Sequence, residues 1–159
     1  MPAPNLSPNP IPFNPRAVEK GMLFWYDFSD GADTFTGQKI RPICIIGRTN
    51  KNSSRVIVSP VSDIHNYLDN DKLKYPYHVA LLKHVHPFLD KDCVVLLDQV
   101  ITIQKSELMN EWHMGCLQNM DELDQGLFYN YDLYESIVSG VVNRVSSMMT
   151  EHMTNFSRK

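Results

Sequence analysis

A carboxylate interrupts the most apolar stretch of the sequence. Asp92–Leu108 reads DCVVLLDQVITIQKSEL, and Asp98-Gln99 divides its two runs of strand-forming residues. Burying a carboxylate is costly unless it is paired, so Asp98 either sits at a bend in the strand or is presented to a partner. Arg41 stands immediately before Pro42, at the mouth of the apolar segment Ile43–Gly47. Its guanidinium is a planar fork of donors that fits phosphate oxygens and keeps its charge near neutral pH; the plain alternative is a surface ion pair. Ser62 follows Ser59-Pro60-Val61, where a hydroxyl can donate to a developing oxyanion or, with Asp63, simply cap a turn. Alternation in a barrel puts Asp98 beside Arg41, so that each holds the geometry of the other.

The remaining candidates are weaker. His78 could serve as an acid or base near neutral pH. His84-Val85-His86 alternates, which on a strand turns both rings to one side, but two histidines without a third ligand are a poor metal signal. No metal or cofactor is expected. Cys44, Cys93 and Cys116 lack metal-ligand spacing, and Cys44 and Cys93, inside apolar runs, read as small buried thiols of a reducing compartment.

These residues need a scaffold, and 159 residues with 43% hydrophobic and 21% charged composition suit one globular domain with trim at its ends. No apolar run approaches the ~20 residues that span a bilayer, and the N-terminus lacks a basic-then-apolar leader, so a cytoplasmic protein without membrane partners is expected. A net charge of −3 and a pI near 6.0 argue against a general nucleic-acid coating protein but leave room for an RNA enzyme with a local basic groove. Residues 1–19 form a proline-rich arm (Pro2, Pro4, Pro8, Pro10, Pro12, Pro15) that favours extended backbone. It is either a surface tail or an arm pinned by Phe13.

From Lys20 onward the period is that of strands: Met22–Phe28, Ile43–Gly47, Arg55–Val61, Tyr77–Leu81 and the interrupted segment after Lys91. Ala32–Lys39 reads as a loop and Asp63–Tyr75 as an irregular excursion. After Lys105 the period shifts towards 3.6. Met120–Asn130 carries acids in its first turn, as a helix N-terminus does. Asp132–Met153 aligns Leu133, Ile137, Val141, Val145 and Met148 or Met149 on one stripe, fit for a core or a dimer surface. The expected fold is mainly β with α: a small antiparallel β-barrel of five or six strands with C-terminal helices and room for one helical insert. The expected division is an arm over 1–19, a barrel over 20–109 and a helical extension over 110–159.

Several of these segments, in this order, resemble the MazF/PemK/Kid toxins of bacterial toxin–antitoxin systems. They are Lys20-Gly21 leading into Leu23–Phe28, Gly37–Pro42, Val56–Ser62, Tyr75–Val79, and Lys91–Val100 with Thr102–Ser106. The resemblance implies an SH3-like barrel, a homodimer, and metal-independent cleavage of single-stranded RNA in which a 2′-hydroxyl attacks the adjacent phosphate. By the same resemblance Arg41, Ser62 and Asp98 are the catalytic residues, and Gln38, Lys39, Gln99 and His78 contact substrate. A cognate antitoxin, whose disordered segment fills the RNA groove, is the implied partner. One departure is Ile101, where the family usually carries Arg or Lys. It motivates the alternative of a catalytically inactive barrel acting as a protein-binding module, like the gyrase poison CcdB, which shares the barrel.

Overall fold

The computed structural model describes residues 3–29 and 40–156. Three consecutive strands form an antiparallel meander: β1 (Met22–Asp27), β2 (Ile40–Ile45) and β3 (Arg55–Asp63). The tandem four-residue strands β7 (Cys93–Leu96) and β8 (Ile101–Gln104) lie along successive parts of β3. β7 opposes Val61–Asp63 and β8 opposes Arg55–Val58, with Asp98-Gln99 in the turn between them. The sequence expectation of a bend at Asp98 is met there. β6 (His78–Leu81) adds to β7, and β9 (His113–Cys116) adds to the free edge of β1. The seven-stranded sheet runs β6-β7-β3-β2-β1-β9, with β8 also on β3, and it curls into a half-barrel.

Strand alternation divides the core in two. One face sends Leu23, Cys44, Val61, Val79, Val95 and Leu97 into the cluster that Leu117 and Leu123 close. The other sends Phe24, Ile43, Ile45, Val58 and Ile103 into a second cluster, which the arm covers. Burial in the first cluster pushes the Cys44 thiol up to about 12 and that of Cys93 to about 11, so both are inert thiols of the core.

The proline-rich arm is pinned. The ring of Phe13 packs edge-on against Phe24 at 5.0 Å and lies 5.2 Å from His113. The Phe13 N–H donates to the Leu108 carbonyl (2.8 Å), and Trp112 Nε1 donates to the Pro4 carbonyl (2.9 Å). Ser7 donates from its N–H and its hydroxyl to the Glu111 carboxylate (3.0 and 2.9 Å).

The excursion after β3 is more ordered than its sequence suggests. A 3₁₀ turn (Ile64–Tyr67) leads into a two-stranded ribbon, β4 (Leu68–Asp69) and β5 (Lys72–Leu73). Asn70 and Asp71 link its strands, both at positive φ (49° and 61°), as a tight two-residue hairpin requires. Tyr67, Leu68 and Leu73 settle on Val94, Leu96 and Ala80 to form a third apolar cluster.

Residues 110–130, expected within a helical extension, contribute β9 and the buried Leu123 of α1 (Asp121–Asn130) to the sheet and its core. Gly126 lets α1 approach the sheet closely: a Cβ there would lie 2.7 Å from Leu97 Cδ1 and 2.9 Å from Val79 Cγ2. The second helix, α2 (Tyr134–Phe156), buries none of its residues. Among the described residues, no helix is long and apolar enough to cross a membrane.

His84-Val85-His86 is the clearest correction to the sequence reading. These residues lie in a turn, with His84 exposed and His86 buried, because Val85 and His86 both donate their N–H groups back to the Leu82 carbonyl. The two rings do not share a strand face. Among the described residues, no group of three or more His, Cys, Asp or Glu side chains is placed to hold a metal ion.

Candidate active site

Arg41 and Ser62 lie where β2 and β3 part. Pro42 and Pro60 offer no backbone donor, and the β2–β3 ladder ends with Ile43 opposite Pro60. Arg41 and Ser62 are the next residues beyond that point on the same face, one on each strand. Both are half-buried. Across β1 the neighbour of Arg41 is Tyr26, and across β7 the neighbour of Ser62 is Val94. Tyr26 packs on the second apolar cluster and Val94 belongs to the third. A guanidinium and a hydroxyl therefore lie on one face of two diverging strands, in the strip between two covered patches, where a phosphate could accept from both.

Asp63, next to Ser62, fixes the start of the excursion. Its carboxylate accepts from Lys91 Nζ (2.6 Å), lies 2.6 Å from His65 Nδ1, and accepts from the His65 N–H (3.0 Å). The Lys91 ammonium first, and then the His65 N–H and ring, hold this carboxyl well below the usual carboxylate range. Asp63 in turn holds Lys91 above the ordinary lysine value.

Asp98 is met by His78. Its Oδ1 lies 3.1 Å from His78 Nε2, with the imidazole side chain 2% exposed and the carboxylate 40% exposed. A carboxylate only accepts, so Nε2 carries the proton of this bond. The imidazole is boxed edge-on by Tyr77, Tyr67 and Tyr75, at centroid distances of 4.8, 5.2 and 5.4 Å. Its Nδ1 is buried and meets no hydrogen-bond partner among the described residues. The neighbour expected for Asp98 was Arg41, but β3 lies between β2 and the turn that carries Asp98. Asn130 Nδ2 donates to the Leu97 carbonyl (2.8 Å) and Gln99 N–H to the Leu96 carbonyl (3.0 Å), so the turn is held from both sides. Gln99 is half-buried within it.

Ser62 and His78 share the outer face of the β6-β7-β3 part of the sheet, two strands and two residues apart. Ideal spacings separate their Cα atoms by roughly 12 Å, about the span of two nucleotides. Tyr75 stacks on Tyr77 at 5.3 Å with planes 11° apart and is 46% exposed. That pair forms an aromatic platform beside Asp98, and sequence reading noticed only the segment that contains it. Burial first, and then the Asp98 charge, raise the Tyr77 hydroxyl above its ordinary value. Gln38 and Lys39 lie outside the described residues. Ile101 is half-buried and packs on the second apolar cluster, so an apolar side chain is what its place in β8 requires.

Comparison with known proteins shows the family. Residues 19–128 match the family model described as PemK-like, MazF-like toxin of type II toxin–antitoxin system. The chain belongs to that family. The endoribonuclease MazF of Staphylococcus epidermidis is 32% identical over 126 residues, covering 75% of this chain and 99% of that protein. A mycobacterial endoribonuclease, solved in complex with its cognate antitoxin, superposes with a TM-score of 0.54 at 18% identity, over 74% of this chain and 97% of that one. The Mycobacterium tuberculosis toxin MazF-mt6 superposes with a TM-score of 0.50 at 18% identity, covering 70% and 96%. Those two likenesses concern the fold alone. The family match ends before α2 begins.

Proposed function

We propose that this PemK/MazF-family protein is a toxin that cleaves single-stranded RNA, a 2′-hydroxyl attacking the adjacent phosphate without help from a metal ion. The observation that carries the reading is the placement of Arg41 and Ser62 on one face just past the end of the β2–β3 ladder, in a chain 32% identical to an endoribonuclease. The guanidinium neutralises charge that builds on the phosphorane oxygens, and the Ser62 hydroxyl donates to one of them. Asp98 presents a half-exposed carboxylate as proton acceptor, oriented by the bond from His78. His78 acts from its buried place by positioning Asp98, and Gln99 helps hold the turn. Gln38 and Lys39, just before Arg41 in the chain, contribute further contacts to the RNA backbone. The Tyr75–Tyr77 platform offers a stacking surface for an unpaired base.

In this reading the protein acts in the cytoplasm as a homodimer, and a cognate antitoxin silences it by laying an extended segment across the strip that holds Arg41 and Ser62. A relative solved with its antitoxin supports that partner. The test is incubation of the full chain with a long unstructured RNA in EDTA beside Arg41→Ala. Discrete fragments ending in 2′,3′-cyclic phosphate from the native protein alone are expected. An intact RNA with a folded protein would reject the reading.

A further inference from the structure

The long C-terminal helix is the largest feature that the proposed activity does not use. α2 exposes its whole apolar side, from 42% at Ile137 to 72% at Phe156. Applied to ordinary residue areas, these fractions amount to roughly 1,000 Å², beyond the largest apolar patch of a typical monomer. That is comparable to the ~800 Å² that each partner gives to a standard interface.

The pattern on this side is regular. Tyr134, Val145 and Phe156 recur at steps of eleven residues, as do Ile137 and Met148, Val138 and Met149, and Val142 and Met153. Eleven residues close three turns at about 3.67 residues each, so the stripe runs straight along the helix and covers about 160° of it. Outside it lie mainly Ser136, Ser139, Asn143, Ser146, Ser147 and Thr150. Arg144 is the sole lysine or arginine of the helix, too little basic charge for a helix that rests on an anionic lipid surface.

The borders of the stripe select the occupant. At about 100° per residue, Arg144 and Glu151 fall on one border, while Glu135 falls on the other. Arg144 and Glu151 are about 10 Å apart along the axis, too far to pair within one helix. In an antiparallel pair related by a two-fold axis, each border meets the same border of its partner; in a parallel pair it meets the opposite one. An antiparallel pair centred between Ser147 and Met148 sets Arg144 against Glu151 twice, once in each direction, and buries Val141, Val145 and Met148 at its centre, with His152 beside them.

We propose that α2 is a self-association element, pairing antiparallel with α2 of a second copy of this chain. It lies past the family match at residue 128, so this contact is additional to any dimer formed through the half-barrel. The proposal does not depend on RNA cleavage.

The experiment measures spin-label distances in the full chain, with Cys116→Ser removing the exposed native thiol. Labels at Ser147→Cys and Ser136→Cys lie one eleven-residue step apart on the same polar side. The pairing predicts roughly 25 Å between the two 147 labels and roughly 40 Å between the two 136 labels, from a 1.5 Å rise and helices about 10 Å apart. Equal distances would mean a parallel pair and overturn the proposal. Absence of a defined distance at 147 overturns it as well, whether the helix stays single or binds phosphatidylcholine vesicles instead. Arg144→Glu or Glu151→Arg alone should cut the short-distance population about tenfold in apparent affinity, and the double exchange should restore it. If the double exchange fails to restore it, the register is wrong.

Discussion

Arg41 and Ser62 lie just past the point where two strands stop bonding, whereas His78 and Asp98, on the same face of the sheet, are already bonded to one another. The first pair is placed by what the backbone lacks, two proline N–H groups. The second is placed by packing, three tyrosines around one imidazole. A pair set by diverging strands lies where a phosphate could accept from both residues. A pair made by packing holds one carboxylate still and spends its buried partner to do so. Strand divergence sets one half of the site and side-chain packing the other.

If that division is right, substitutions in the two halves fail in different ways. Arg41→Ala should lower the cleavage rate about 10³-fold, about 4 kcal/mol of transition-state stabilisation, with the urea midpoint unmoved. A midpoint shift of similar size would mean that Arg41 is structural and erase the contrast. His78→Ala should do the reverse first, costing about 2–3 kcal/mol of stability by emptying the tyrosine box. Activity should then fall because Asp98 loses its orientation. Calorimetry and kinetics on the same sample separate these losses. Ser62→Ala should cost about 10²-fold in rate with no measurable change in melting temperature; a wild-type rate would remove Ser62 from the machinery and leave Arg41 alone.

The smallest effect concerns the fastening of the excursion beside Ser62. Asp63 has its pKa lowered by Lys91 and His65, so its stabilisation is present above the ordinary carboxylate pKa of about 3.9 and is lost as pH falls through the lower folded value. Lys91 has its pKa raised by Asp63, so its share is present below about pH 10.4 and is lost as pH rises through the higher folded value. Since Lys91 is 41% exposed, the pair is worth only about 1 kcal/mol. Asp63→Asn should show that deficit in urea unfolding at pH 6 and converge with the native protein in strong acid. A constant deficit across that range would assign the effect to the cap on the 3₁₀ turn instead.

Much of this scaffold is legible from sequence because it obeys a period. β1, β2, β3 and β6 follow β-branched and aromatic residues, and α1 and α2 follow apolar spacing near 3.6. What escaped has no period to read. β4 and β5 are two residues each, and β9, His113-Met114-Gly115-Cys116, carries neither β-branched residues nor a clean alternation. Its Gly115 is needed because a Cβ there would sit 2.4 Å from the Phe88 ring, a constraint visible only in three dimensions. Two alternating histidines imitate a strand, but hydrogen bonds back to Leu82 turn the chain instead. Arg41, Ser62 and Asp98 stand out by residue type. The partner of Asp98 does not, because it follows from β6 lying beside β7 and not from any local signal.

The sheet begins with β1 and is completed at that same strand by β9, about ninety residues later; the proline-rich arm likewise finds its carbonyl and ring partners between Leu108 and His113. During synthesis the first strand therefore keeps a bare edge until nearly the whole half-barrel has been made. A chain halted on the ribosome before residue 113 has Arg41 and Ser62 in its sequence but neither the edge strand nor the dock for its arm.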